Sequence, residues 1–422
     1  MTVVTAAEML HHGATPVDDA DDALPLRFDA APLGLPAGMR DMLPARAALR
    51  RAIARAVLGA FQRRGYDPVV PPAFEREDVL VRGLGPGAAE SLLRLVDPDS
   101  GEVLALRPDM TPQIARIVAT RYRDAPMPVR LAYEGTVLRR PRGRSRRHRQ
   151  IAQAGVEYVG VAAVDADAEV IAAACEALAA AGVPDGRVTV AHAGVHRALL
   201  ARVGEATREA VAEALQARDR AAWQRLLRRD PTTCRALDAL DALAGDVSVL
   251  REAEAALGEV VPAGVFAALG ALFEALAAEG VGERAQVDLA EARGDGYYTG
   301  ATFSVVCEGA GEAVASGGRY DELLGRYGAE APATGCAVAL EVLEELVTRR
   351  AVASAEGARR VVVSGPAGRR RAVATALRAE GWQVAEIDAR DGAAARRWAA
   401  AHGHARVVTV DVDGGVNELS DP

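Results

Sequence analysis

Apolar residues recur at helical spacing across residues 46–64 (Leu49, Ile53, Val57, Leu58, Phe61), and Gly65 supplies the stop. A short strand is predicted at 67–70, ended by Pro71 and Pro72. Residues 92–96 and 103–106 flank the turn Asp97-Pro98-Asp99-Ser100-Gly101, so they read as a hairpin and imply an antiparallel sheet. A helix at 111–121 precedes a strand at 129–139, whose antiparallel mate at 150–159 lies across an arginine-rich loop. An alanine-rich helix follows at 166–181. From His196 to about Arg284 the pattern is almost wholly helical, punctuated by Pro231 and Pro262, and reads as an insertion in the sheet domain. Strands return at 285–289 and 301–307. The last stretch alternates strand (360–364), helix (369–380), strand (383–387), helix (393–402) and strand (406–410), the pattern of a small α/β unit with a mostly parallel sheet.

Three segments follow: residues 1–31, which lack periodicity and are expected to form a mobile extension; a sheet domain over 32–350; and the small α/β domain over 358–422. At 50% hydrophobic, the 422-residue chain can bury a sizeable core. No apolar run reaches the roughly 18 residues of a membrane span. Residues 18–22 are acidic where a signal peptide would be basic, so a cytoplasmic protein is expected. Four scattered cysteines (Cys175, Cys234, Cys307, Cys336) lack the spacing of a zinc site and read as reduced thiols. All 50 basic residues are arginine, which excludes Schiff-base chemistry, a lysine nucleophile and a lysine-bearing phosphate loop. The net charge of -8 means that any polyanion partner must be held by a local patch.

One such patch exists: seven arginines between Arg139 and Arg149 with no acid among them. It reads either as a solvated loop or as a phosphate- or protein-docking surface, and less readily as a nucleic-acid site, because no aromatic residue is interleaved for base stacking. Gln153 and Glu157 are four apart on one strand and therefore share a face. Asp109, just before a Thr-Pro helix start, reads by its position as a helix cap.

Four separated segments resemble histidyl-tRNA synthetases and their class II paralogues. They are the lead-in Leu35-Pro36-Ala37-Gly38-Met39-Arg40; Gly65-Tyr66 through Pro72 and Glu75, similar to the first class II motif that builds a homodimer; Arg107-Pro108-Asp109-Met110-Thr111-Pro112-Gln113; and Arg139 through Glu157, similar to the second motif. Arg293-Gly294-Asp295-Gly296-Tyr297-Tyr298-Thr299-Gly300, followed by Gly317-Gly318-Arg319-Tyr320-Asp321, resembles the family's histidine signature. The resemblance implies an α+β fold: a class II synthetase-like antiparallel sheet domain with a helical insertion, plus the small C-terminal α/β domain. It also implies a pocket for one free histidine. Asp109 and Thr111 would take the α-amino group, and Glu157, beside Gln153, would accept an imidazole N–H and favour the charged ring. Tyr297 and Tyr298 would supply a hydroxyl and an aromatic wall, and Arg139 and Arg293 would hold the carboxylate.

Departures from the synthetase pattern point elsewhere. Gly335 to Leu343 resembles the third class II motif, but Val342 stands where the ATP-binding arginine belongs. Pro141 replaces the adenine-seating glutamate, and Asp295 lies one place early, leaving Gly296 next to Tyr297. The residues after Ala358 are few for an anticodon-binding domain. Removing one electrostatic contact to a transition state commonly costs about 10² or more in rate, so adenylation is not expected. These departures resemble the synthetase-like regulatory subunits of ATP phosphoribosyltransferase. That resemblance implies a non-catalytic, cofactor-free chain that dimerises within a hetero-octamer. It would activate a short catalytic subunit and transmit histidine feedback at the first step of histidine biosynthesis. A histidyl-tRNA synthetase is the main alternative, and an RNA-binding sensor using the arginine loop is the second.

Overall fold

The computed structural model describes residues 34–84, 92–139, 148–291, 298–351, 360–389, 391–402, 404 and 406–419. The expected extension at 1–31 and most of the arginine loop, 140–147 with Pro141, lie outside them, as do residues 292–297.

Two compact units are present. The larger comprises Leu33–Leu43 and Arg50–Leu346; the smaller takes in Pro44–Leu49 and Val347–Pro422. In chain order the elements begin with α1 (Pro44–Arg63), β1 (Asp67–Pro68), β2 (Phe74–Arg76), α2 (Glu77–Leu84), β3 (Leu93–Val96), β4 (Val103–Leu106) and α3 (Thr111–Arg121). The hairpin strands β5 (Val129–Leu138) and β6 (Gln150–Val159) follow, then α4 (Asp165–Ala180) and β7 (Arg187–His192). Five helices come next: α5 (Ala193–Ala201), α6 (Glu205–Gln216), α7 (Arg220–Leu226), α8 (Pro231–Leu240) and, after β8 (Ala244–Gly245), α9 (Val249–Leu257); α10 (Ala263–Ala278) closes the group. The sheet is completed by β9 (Ala285–Asp288), β10 (Ala301–Val306), β11 (Ala315–Arg319) and β12 (Ala333–Ala339), and α11 (Leu340–Ala351) leaves it.

Nine strands form one sheet in the order β1-β5-β6-β12-β11-β10-β7-β9-β8, and β2-β4-β3 form a second, smaller sheet. The large sheet is mixed rather than purely antiparallel: β1 runs parallel to β5 and β7 parallel to β9. The helical stretch after His196 is also not unbroken, since β8 pairs with Asp288 and Val287 of β9. A two-residue strand leaves no period to read, so no pattern announces it.

Alternation along the strands divides the sheet into two faces. On one face α4 packs against β12. On the other, α3 presents Met110, Ile114, Ala115, Ile117 and Val118 to Val129, Leu131, Tyr133 and Val137 of β5, with Tyr320 and Leu323 joining them. Each large side chain fully buried here contributes about 1.5–3 kcal/mol. At the C-terminus of α1, Arg64 contacts Glu169 (2.5 Å) and Glu176 (2.8 Å) of α4 and Glu279 (3.0 Å) beside α10, binding three elements through one guanidinium.

The smaller unit carries β13 (Arg360–Ser364), α12 (Ala367–Ala379), β14 (Gln383–Ile387), α13 (Gly392–Ala401), β15 (Arg406–Val410) and β16 (Val416–Leu419), with sheet order β14-β13-β15-β16. β13 is parallel to both β14 and β15; β16 is antiparallel and was not foreseen in the pattern. Val361 and Val363 pack with Ala374 of α12, and Val362 packs with Ala395 and Ala399 of α13, so the sheet is covered on both faces. No described helix is long and apolar enough to cross a membrane.

Candidate functional site

The register of the central strands places the polar residues. Leu131, Tyr133 and Gly135 of β5 lie opposite Glu157, Gly155 and Gln153 of β6, and Gly335 of β12 lies opposite Glu157 on its other side. The period of two puts all of these on the face covered by α3. The glycines make room for their neighbours' head groups. A Cβ on Gly155 would come within 2.6 Å of the Tyr133 ring carbon Cζ, and one on Gly335 within 2.6 Å of the Glu157 carboxyl carbon.

Glu157 is 1% exposed. Thr111 donates its hydroxyl to Oε1 at 2.7 Å, Tyr133 donates to the same oxygen at 3.3 Å, and Tyr320 donates to Oε2. Thr111 thus spends its hydroxyl proton on Glu157 and keeps its oxygen lone pairs as acceptors. Burial pushes the Glu157 carboxyl up to about 8, against the opposing pull of the Tyr320 and Thr111 hydroxyls, and Asp109 adds to the rise by charge repulsion. Burial also holds the Tyr133 and Tyr320 phenols well above their ordinary range.

Asp109 caps the start of α3. Its Oδ1 accepts the backbone N–H groups of Met110 (2.7 Å) and Thr111 (3.4 Å) at the start of α3 and the Gln153 amide at 3.3 Å. Its Oδ2 lies 3.7 Å from Arg139, which also donates to the Pro108 carbonyl at 2.7 Å. Gln153 is buried rather than solvated. Tyr298 packs against the cluster around Tyr320, and its backbone carbonyl accepts from Arg197. Arg293 and Tyr297 lie outside the described residues.

Two residues of the cluster, Tyr133 and Tyr320, are absent from the sequence-based site. The signal for Tyr133 was available: it stands on β5 in the same alternation that aligns Gln153 with Glu157. Arg107, in the Arg-Pro-Asp segment, is a scaffold residue, donating to the carbonyls of Thr136, Pro71 and Pro72. Arg319 is one as well, turned to the opposite face and bound to Asp167 of α4 at 3.0 Å.

Val342 is buried in the first turn of α11, with no charge to offer a phosphate. Its neighbours Glu341 and Glu344 are consumed by Arg40 (2.8 Å) and Arg50 (2.6 Å). The backbone N–H of Arg149 donates to Gly38 at 2.8 Å, so the lead-in segment joins the base of the arginine loop to α11. Among the described residues no cluster of His, Cys, Asp and Glu is arranged to hold a metal ion.

A pH dependence follows from the buried carboxyl. With the folded-state value at about 8 and the ordinary value at 4.5, the native state holds the extra proton between those limits. Stability contributed by this group is therefore full below about 4.5 and lost as pH rises to about 8. His192 and His196, both lowered to about 4 mainly by burial, act with the opposite sign, since protonation of the unfolded chain below 6.5 opposes folding. Glu157→Gln is expected to remove the alkaline loss alone, read as the difference between wild-type and variant urea midpoints at pH 5 and pH 8.

A family model described as histidyl-tRNA synthetase matches residues 38–343. A protein of Anaeromyxobacter sp. (strain K) named ATP phosphoribosyltransferase regulatory subunit is 41% identical over 322 residues, covering 75% of this chain and 92% of its own. One of the same name from Syntrophotalea carbinolica is 37% identical over 359 residues, covering 83% and 84%. The crystal structure of an ATP phosphoribosyltransferase regulatory subunit/histidyl-tRNA synthetase from Bacillus halodurans superposes with a TM-score of 0.78 at 28% identity, over 90% of this chain and all of the other. Histidyl-tRNA synthetase from Nostoc sp. PCC 7120 shares the fold, with a TM-score of 0.74 at 21% identity, over 93% of this chain and 97% of its own. With regulatory-subunit relatives 41% and 37% identical over 75% and 83% of its length, the chain belongs to the ATP phosphoribosyltransferase regulatory subunit family.

Proposed function

We propose that this chain binds free histidine on the β5–β6–β12 face and sets the activity of a short-form ATP phosphoribosyltransferase catalytic subunit accordingly. It would be required for that subunit's turnover and would transmit histidine inhibition to the first step of histidine biosynthesis, in the cytoplasm. In this reading it dimerises within a hetero-octamer. The carrying observation is the pairing of a built polar pocket, Asp109 with Gln153 and Glu157 with three hydroxyl donors, with Val342 in the motif 3 helix. The pocket suits a small amino acid with a nitrogenous ring: Asp109 for the ammonium group, Glu157 for the ring N–H, and Arg139 for the carboxylate.

Histidine shifts the partner's activity by the difference in its affinity for two arrangements of the complex. The pocket itself need carry out no chemistry. Mixing the chain with a short catalytic subunit is expected to restore phosphoribosyl transfer, and added histidine to suppress it. Gln153→Ala and Glu157→Ala are expected to raise the histidine concentration for half-inhibition by tenfold or more, about 1.4 kcal/mol, while basal activation changes little. Equal loss of activation and inhibition would assign those residues to the scaffold. Histidine-dependent exchange of pyrophosphate into ATP by the pure chain would overturn the regulatory reading.

A further inference from the structure

Glu157 is a fully buried carboxyl whose described contacts are all neutral. Thr111, Tyr133 and Tyr320 supply hydroxyls, and no described ion pair includes it. Arg139 is engaged with the Pro108 carbonyl and Asp109. Among the described residues, the groups packed around the carboxyl are neutral or negative. β5 brings Tyr133, β6 brings Gln153, β12 brings Gly335 and Cys336, the start of α3 brings Thr111 and Asp109, and the segment after β11 brings Tyr320 with Tyr298 behind it. An isolated carboxylate in such surroundings is costly, and neutralisation by a proton is the usual response.

We propose that the empty site holds Glu157 as a neutral acid and that the ligand's own imidazole takes this proton on binding. The O–H bond of Glu157 breaks, an N–H bond forms on the ring, and the bound pair is imidazolium against carboxylate with no proton gained from water. The inference rests on the histidine reading of this pocket. Two causes keep the proton on Glu157: its dehydration and the charge of Asp109. The ligand opposes both, since its ammonium offsets Asp109 and its ring, once protonated, supplies the countercharge that the dehydrated carboxylate lacks. The three hydroxyls then stabilise the carboxylate that remains. Tyr133, Tyr320 and Cys336 do not compete for the role, because burial pushes all three upward and leaves them protonated.

The test is made on the full chain at pH 7 with L-histidine labelled with ¹⁵N in the ring. Free in water, about three-quarters of such rings are neutral at that pH. Nuclear magnetic resonance of the bound ligand is expected to show both ring nitrogens protonated. Calorimetry in two buffers of different ionisation heat is expected to show release of about a quarter of a proton, the share of rings that arrive already charged. In Glu157→Gln the bound ring is expected to carry a single proton. A doubly protonated ring accompanied by uptake of about three-quarters of a proton would mean that Glu157 started ionised, and the inference would fall. A singly protonated ring in the wild type would also sink it. Either result leaves histidine binding intact, whereas failure of the wild type to bind histidine would remove the pocket reading itself.

Discussion

Gly335→Ala is expected to abolish measurable histidine binding and to destabilise the protein by about 1–3 kcal/mol or more. An added methyl group would overlap the Glu157 carboxylate, with its carboxyl carbon at 2.6 Å, and would press on the Val156 carbonyl oxygen at 2.6 Å. Glu157 cannot move away without cost. It is enclosed by Tyr133, Thr111 and Tyr320, and leaving any of those hydroxyls unpaired in a buried site carries a penalty of its own. Thermal unfolding and histidine calorimetry on the same preparation check both halves. The double variant Gly335→Ala/Glu157→Ala is expected to recover part of the stability and none of the binding, since removing the carboxylate leaves the clash with Val156. Unchanged binding in Gly335→Ala would show that Glu157 does not contact the ligand from its present position. Gly335 thus makes room for the Glu157 carboxyl through the side chain it lacks.

The second large effect is expected at Arg319. Its Nε donates to Asp167 at 3.0 Å, its Nη1 to the Val161 carbonyl at 3.0 Å and to Asp321 at 3.2 Å, and its Nη2 to the Ala163 carbonyl at 3.0 Å. Both Arg319 and Asp167 are nearly inaccessible, with side-chain exposures of 8% and 5%. Arg319→Ala would strand the carboxylate, whose proton affinity burial already raises against the pull of Arg319. A cost of about 3–5 kcal/mol is expected, visible as a lowered midpoint in urea. Replacing the pair together, Arg319→Met with Asp167→Leu, is expected to cost much less, because no buried charge is then left alone. Histidine binding should decline in Arg319→Ala as well, since Tyr320 is the next residue and its hydroxyl holds Glu157. A loss of under about 1 kcal/mol would show that water reaches Asp167 when the arginine is gone.

Alternation and helical spacing, which are local properties, made much of the larger unit legible. The α3 helix and the β6 strand fall where the spacing puts them, and the hairpin of β3 and β4 follows from its Asp-Pro-Asp-Ser-Gly turn. The same logic placed Gln153 and Glu157 on one face. It could not reveal that this face is buried, because four residues of spacing say nothing about what covers them. β11 and β12 were harder to read. Gly317, Gly318 and Gly335 lie within them and resemble turns in isolation, and glycine is a weak strand former; they are tolerated because neighbouring backbones and head groups come too close for a side chain. The signature segment 317–321 divides between the two faces: Arg319 binds Asp167 on one, and Tyr320 donates to Glu157 on the other.

The sequence by itself determined the long periodic elements such as α3, β5 and β6 and the absence of lysine chemistry, since each is written in the order of the residues. Only the tertiary structure decided the state of Glu157. Its burial, its three hydroxyl donors and the side-chain-free Gly335 against which its carboxylate lies come from β5, β12, α3 and the segment after β11; Tyr320 alone is 163 residues away along the chain. Proton affinity depends on dehydration and on nearby charge, and both are fixed by distances in space that no local pattern encodes.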